Sequence, residues 1–221
     1  LREIVGKRML SASQRPTLVF EQRFWTQGYR FVAGLDEAGR GALAGPVVAA
    51  AVILSPEADH EPLLAAGVRD SKLLTPSRRD RLFELVCQQA EGWAVGLVSA
   101  SEIDRLGIVA ATQQAMGVAL RQLPMPPEAL LIDYLRLPEQ TLPQQPITHG
   151  DQLSLSIAAA SILAKVTRDQ MLIAYETAYP GYGFARHKGY GTEAHRAALA
   201  HLGPCALHRR SFRPLREALQ T

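Results

Sequence analysis

The sequence predicts an α/β protein built on a mixed sheet, and three observations carry that expectation. A continuous apolar run at 47–54 and a second one at 129–133 read as strands buried on both faces. Strand-like segments come first in the chain, and helices and strands alternate after them. The longest helical pattern, 153–179, comes late, with Ile157, Ala160, Ala164, Met171 and Ala174 recurring on one face.

The elements follow in order. Residues 1–16 read as an extension of marginal helix potential leading into Pro16. A short helix is expected over 20–27, stopped by Gly28. Residues 29–36 (YRFVAGLD) are β-rich and end on an acid; Gly39, Gly41 and Gly45-Pro46 then make a turn region before the strand at 47–54. Asp70-Ser71-Lys72 opens a polar turn, and 76–90 carries Leu82, Leu85 and Val86 at helical spacing. A third strand is expected at 94–98. Ser101-Glu102 reads as the cap of one helix over 103–123, with Ile103, Leu106, Val109 and Ala110 on one side and prolines 124, 126 and 127 ending it. The strand at 129–133 again ends on an acid, and 135–148 is a Pro/Gln-rich loop with room for a short strand at Ile147. Residues 181–191 form a glycine-, aromatic- and base-rich loop before a last clear helix at 192–202.

Length and composition bound the function. At roughly 150 residues per domain, 221 residues make one domain with an appendage, long enough to bury its own core. Two cysteines, Cys87 and Cys205, make neither a disulfide framework nor a four-ligand zinc site; they suit a reducing compartment and a cytoplasmic protein. The longest apolar run, 42–54, is interrupted by Pro46 and too short for a membrane span, and the N-terminus does not read as a signal peptide. The net charge of +3 hides a basic stretch: residues 165–216 hold nine Lys/Arg against three Asp/Glu, with four of the six histidines. That stretch suggests an anionic partner such as nucleic acid, although on charge alone a solvated helical face is the favoured reading.

Four acids do not look like surface acids. Asp36 ends the apolar run FVAGL and is doubled by Glu37; Asp133 ends ALLI; Asp151 precedes a helix, where an N-cap is the simpler reading. Carboxylates at the ends of buried strands are costly to desolvate unless something positive compensates them. Hard cations with oxygen ligands, Mg²⁺ or Mn²⁺, are the natural compensation. Directly after the first pair lies Gly39-Arg40-Gly41, whose glycines let the backbone approach a ligand and whose arginine adds positive charge.

At this point a resemblance enters. Asp36-Glu37-Ala38-Gly39-Arg40-Gly41, followed by Leu43-Ala44-Gly45-Pro46-Val47-Val48, is similar to the signature of type 2 ribonuclease H, the bacterial ribonuclease HII family. Asp70-Ser71-Lys72, Leu131-Ile132-Asp133, Gly150-Asp151, the run from Ala158 to Asp169, His187-Lys188-Gly189-Tyr190-Gly191-Thr192 and His208-Arg209-Arg210-Ser211-Phe212 resemble further family segments in the family's order, covering about 20–219.

The resemblance implies a ribonuclease H-like α/β fold, a mixed five-stranded sheet flanked by helices with a C-terminal helical region, in a catalytic domain over 17–221. It implies hydrolysis of RNA in RNA–DNA hybrids and cleavage 5′ of single ribonucleotides in duplex DNA, the start of ribonucleotide excision repair, by a monomer using two Mn²⁺ or Mg²⁺ ions. Carried onto this chain, Asp36, Glu37, Asp133 and Asp151 become the metal-binding catalytic acids. Gly39, Arg40 and Gly41 become the loop that feels the 2′-hydroxyl, and Tyr190 the ring that stacks on the sugar beyond the junction. Ser71, Lys72, Lys165, Arg168 and Lys188 join Arg40 as substrate-binding candidates. Asp169, near Lys165 and Arg168 on the helix, reads as structural. Contact with a sliding clamp is not readable from the residues. Two departures stand out: Tyr134 follows the third acid where glycine is usual, with room to narrow the groove or shift the site, and His149 replaces a lysine before Gly150.

Overall fold

A computed structural model describes residues 15–218; most of the expected N-terminal extension, 1–14, lies outside the described residues, as do 219–221. The elements run α1 (Val19–Trp25), β1 (Val32–Ala38), β2 (Val47–Ile53), α2 (Glu61–Ala66), a 3-10 turn (Ser71–Leu73), α3 (Pro76–Gln89), β3 (Gly92–Val98), α4 (Ala100–Leu106), α5 (Ile108–Arg121), β4 (Ala129–Asp133), β5 (Gln144–Ile147), α6 (Gly150–Leu153), α7 (Leu155–Ala178), α8 (Phe184–His187), α9 (Glu193–Leu202) and α10 (Arg213–Ala218).

The strands form one mixed sheet in the order β3-β2-β1-β4-β5. β1–β2 and β2–β3 pair antiparallel; β1–β4 and β4–β5 pair parallel. Alternate residues of a strand face opposite sides, so β2 sends Ala49, Ala51 and Ile53 toward α5 and Ala50 and Val52 toward α3 and α7. A strand covered on both faces has no solvent side, which is why 47–54 is apolar without alternation. On the α7 side the helix approaches β1 closely enough that a Cβ on Gly34 would sit 2.4 Å from the Ser156 carbonyl carbon. Gly34 is what lets α7 lie against the strand that carries the first acids.

Two sequence expectations are corrected here. The single helix over 103–123 is two helices, because Gly107 adopts φ +78° and ψ 155°, outside the helical region. The true N-cap is Ser99, which with Glu102 forms a reciprocal capping box. The break resets the helical phase: Ile103 remains buried, but Val109 and Ala110 are exposed, and Ala111, Ala115, Met116 and Ala119 make the core contact. In α7 no single face is apolar. Every residue from Leu155 to Ala164 is buried, because this half is wrapped by the sheet, α3 and α1; further along, Leu172 is buried while Ala174 is exposed. A helix enclosed on all sides loses the periodicity that would place its face.

The C-terminal part packs separately. Tyr182 and Phe184 join Ala44 and Leu172 in a small apolar cluster beneath α8 and α9. This brings 182–209 against the turn region after β1.

Candidate active site

β1 and β4 run parallel side by side, with Leu35 opposite Ile132, so the next residues on each strand, Asp36 and Asp133, emerge together at the carboxyl end of the sheet. β1 continues through Ala38, placing Asp36 and Glu37 inside the strand rather than at its end. Asp151 comes from α6, which follows β5; its N-cap is His149 and the cap of α7 is Ser154, so Asp151 is no N-cap itself. Carboxylate oxygens of Asp36, Asp133 and Asp151 lie within 4.8 Å of one another. Glu37 adjoins them but turns Oε1 to Arg40 at 3.3 Å, and its Oε2 is buried without a partner.

Few hydrogen bonds offset this gathering of charge. Asp36 accepts from the Glu37 N–H at 2.7 Å, and Asp133 from the Gly150 N–H at 2.7 Å. The nearby cation is Lys72, 3.7 Å from Asp151. Burial, and then repulsion from Glu37, Asp133 and Asp151, hold the Asp36 carboxyl well above the usual range. Burial raises Glu37 against the opposing charge of Arg40, and raises Asp133 against its bond from Gly150. Asp151 is pushed up to about 6 by burial, then by Asp70 and Asp133. Buried carboxylates so close together fit a divalent cation: the donors are hard oxygens, they converge, and their proton affinity shows what positive charge would relieve.

The residues expected around the acids fall into two groups. Gly39, Arg40 and Gly41 lie directly beside them. Gly39 has φ +93°, and a Cβ there would strike the Arg168 side chain at 2.0 Å; a Cβ on Gly41 would meet nothing within 4 Å, leaving open space over an exposed residue. The N–H groups of residues 39–41 find no acceptor among the described residues. Lys72 is exposed at the rim. Tyr190 is partly exposed, with the Lys165 ammonium and Arg168 guanidinium 5.4 and 5.3 Å from its ring centroid.

The other group is corrected. Arg168 is fully buried and donates to the carbonyls of Ala44, Pro46 and Lys188 at 2.9–3.0 Å, so it is not open to a phosphate. Ser71 is buried and accepts from Ser161 at 2.8 Å. Lys165 is paired with Asp169 at 2.7 Å, and Asp169 also faces Arg79, which makes Asp169 structural as expected. The Lys188 ammonium turns back to the carbonyl of Ala185. These charges read as surface groups in the sequence, but they are buried or half-buried and hold the loops instead.

Tyr134 does not crowd the site. It has φ +59° and is 65% exposed, directing its ring to solvent. The left-handed conformation is the physical reason glycine suits that position. His149 is also left-handed and exposed. Sequence reasoning missed Asp70 as a site residue. It is buried, caps the 3-10 turn through the Lys72 N–H at 2.9 Å and adds to the charge that raises Asp151.

A family model described as Ribonuclease HII matches residues 33–214. The chain belongs to the ribonuclease HII family. It is 53% identical over 204 residues to the ribonuclease HII of Chloroflexus aurantiacus, covering 92% of this chain and 96% of that protein. It is 50% identical over 214 residues to that of Geotalea uraniireducens, covering 96% and 97%. The crystal structure of ribonuclease H2 from Pyrococcus horikoshii superposes with a TM-score of 0.69 at 27% identity, over 86% of this chain and 97% of that one. The ribonuclease HII chain is thus a ribonuclease H enzyme of the ribonuclease H-like fold, acting on RNA paired with DNA, in a family that is divalent-metal dependent. No described helix is long and apolar enough to cross a membrane.

Proposed function

We propose that this ribonuclease HII cuts the RNA strand of RNA–DNA hybrids and the 5′ side of single ribonucleotides embedded in duplex DNA, leaving 5′-phosphate and 3′-hydroxyl ends and so opening ribonucleotide excision repair. One observation carries the reading: the convergent acids Asp36, Asp133 and Asp151 stand next to a loop, Gly39 to Gly41, whose N–H groups find no acceptor among the described residues and whose surface is open at Gly41.

Asp36, Asp133 and Asp151, with Glu37 beside them, would hold Mn²⁺ or Mg²⁺, and two such ions supply activation of water and stabilisation of the leaving 3′-oxygen. The protein's own groups do the rest. The 2′-hydroxyl separates RNA from DNA locally, and the N–H groups of residues 39–41 can donate to it and to the adjoining phosphate oxygen, with no side chain on Gly41 in the way. Arg40, held by Glu37, adds charge at that phosphate. Tyr190 offers its ring to the next sugar and favours a deoxyribose there. Lys72 reaches the backbone from the rim, and phosphate contacts of this kind set duplex affinity.

Cleavage of one labelled duplex carrying a single ribonucleotide, with Mn²⁺, Mg²⁺ and EDTA, tests the reading. The expected result is one product pair cut 5′ of the ribonucleotide with either metal and none with EDTA. Cleavage in EDTA, or no cut at the ribonucleotide, would overturn it.

A further inference from the structure

Arg168 and Arg209 head the largest fully buried side chains of the described residues, and neither forms an ion pair there. Their charges rest on backbone carbonyls. Arg209 donates from Nε to Gly45 O at 2.9 Å and from Nη1 to Arg40 O at 2.9 Å, while its own N–H donates to Leu43 O at 2.9 Å. Its plane lies 5.1 Å from the Phe212 ring centroid, and its Nη2 is buried without a partner. Burial, then the charge of Arg168, lower Arg209 to about 9. An apolar side chain of similar volume would avoid the desolvation cost, so stability alone does not account for this arginine.

The carbonyls it takes belong to the turn after β1. With Arg168 on Ala44 O and Pro46 O, and the Ala42 N–H on Gly39 O, the carbonyls of residues 39, 40, 43, 44, 45 and 46 are all engaged by the protein. The Leu43 and Ala44 N–H groups go to Gly189 O and that of Gly45 to Leu207 O. Among the N–H groups of this turn, those left over are on residues 39–41, beside the acids. A planar fork can fix two carbonyls five residues apart in one geometry; a lysine ammonium, a point charge, cannot.

We infer that Arg209 is a positioning residue for ribose selection: its guanidinium turns the carbonyls of Arg40 and Gly45 inward and so presents the Gly41 N–H, which shares a peptide plane with the Arg40 carbonyl, to the 2′-hydroxyl. The inference rests on the reading of that loop given above. Arg209 touches no substrate and no metal ligand; it acts through the loop.

The test uses the full chain with Mn²⁺ and two matched duplexes, one with a single ribonucleotide as substrate and one all-DNA as competitor. A displacement of about 1 Å in a positioned group can cost about a hundredfold, so Arg209→Lys is expected to lower kcat/KM on the ribonucleotide duplex by about ten- to a hundredfold. The inhibition constant of the all-DNA duplex and the calorimetric Mn²⁺ affinity are expected to stay within about twofold. Phe212→Leu, which loosens the guanidinium without touching the carbonyls, is expected to give the same split at about threefold to tenfold, and it keeps the question open to measurement if Arg209→Lys does not fold. Unchanged kcat/KM in a folded Arg209→Lys, or in Phe212→Leu, would overturn the inference, as would equal losses in competitor binding and Mn²⁺ affinity. A wild type that does not prefer the ribonucleotide duplex over the all-DNA one would instead overturn the reading of the loop, and the inference with it.

Discussion

Two regions of this ribonuclease HII handle buried charge in opposite ways. At the carboxyl end of β1 and β4, Asp36, Asp133 and Asp151 converge with few donors and raised proton affinity. Across the Gly39–Pro46 turn, Arg168 and Arg209 are equally buried, but carbonyls take up their donors. Beside them the histidines are neutral: His195 Nδ1 faces Tyr190 O and must donate, His208 Nδ1 accepts from the Cys205 N–H, and the His208 Nε2–H is left to bond His195 Nε2 at 3.1 Å. The acidic region is left wanting a cation, while in the basic region all the guanidinium nitrogens of Arg168 and Arg209 but the Nη2 of Arg209 are held by carbonyls. A site that must bind needs unspent charge; a scaffold that must hold a loop spends it.

The largest effect separates the regions by activity. Asp36→Asn should abolish cleavage, losing more than the roughly 10–100-fold typical of a residue that only supports a metal ligand. Duplex binding measured by fluorescence anisotropy should hold, and near-normal turnover would remove Asp36 from the metal set.

Acid should unmake the basic region. Burial, then the charges of His195 and His187, lower His208 to about 4. The unfolded chain therefore binds a proton that the folded chain refuses between pH 6.5 and about 4. The stability this lends is present above pH 6.5 and lost as pH falls through that window, roughly 3 kcal/mol in all. NMR should show the His208 ring neutral at pH 5; a midpoint near 6.5 would contradict the neutral network.

Tyr190 belongs to the basic region, with its ring beside Lys165 and Arg168. Stacking on a base or sugar is worth about 1–3 kcal/mol, so Tyr190→Ala should cost about ten- to a hundredfold in kcat/KM on the single-ribonucleotide duplex and less on a continuous hybrid. Equal losses on both would take it out of the specificity role. The smallest effect belongs to Lys72→Ala, which should weaken duplex binding uniformly and lower the slope of log affinity against log salt by about one. An unchanged slope would make Lys72 a partner of Asp151 alone.

What was legible in the sequence follows the same division. Asp36 and Asp133 could be read because each interrupts an apolar run, and a charge in a buried strand is conspicuous. The sheet and most helices were legible from apolar runs and glycine or proline stops. Arg168, Lys165 and Lys188 were carried over as phosphate contacts from the resemblance, which says nothing of burial; only packing shows them held by the protein's own carbonyls and acids. Arg209 and Asp70 lay inside segments that resemble the family, but one in a basic tail and the other in a polar turn, where nothing in the residues themselves marks burial. The split at Gly107 was missed because apolar residues recur at helical spacing on both sides of it, and only the backbone angle of Gly107 breaks the helix.

The central claim is that the acidic region is kept for a divalent cation. Its most direct test is the rise in Tm on adding Mn²⁺, measured across pH. Raised carboxylate pKa values mean that the folded chain holds protons there that the unfolded chain has lost, so without metal stability falls as pH rises through about 6, the value reached by Asp151. A bound cation removes that penalty. The rise in Tm should therefore be small at pH 5, grow through pH 6 and be largely lost in Asp36→Asn; a rise that is absent, flat with pH or unchanged in Asp36→Asn would contradict the account.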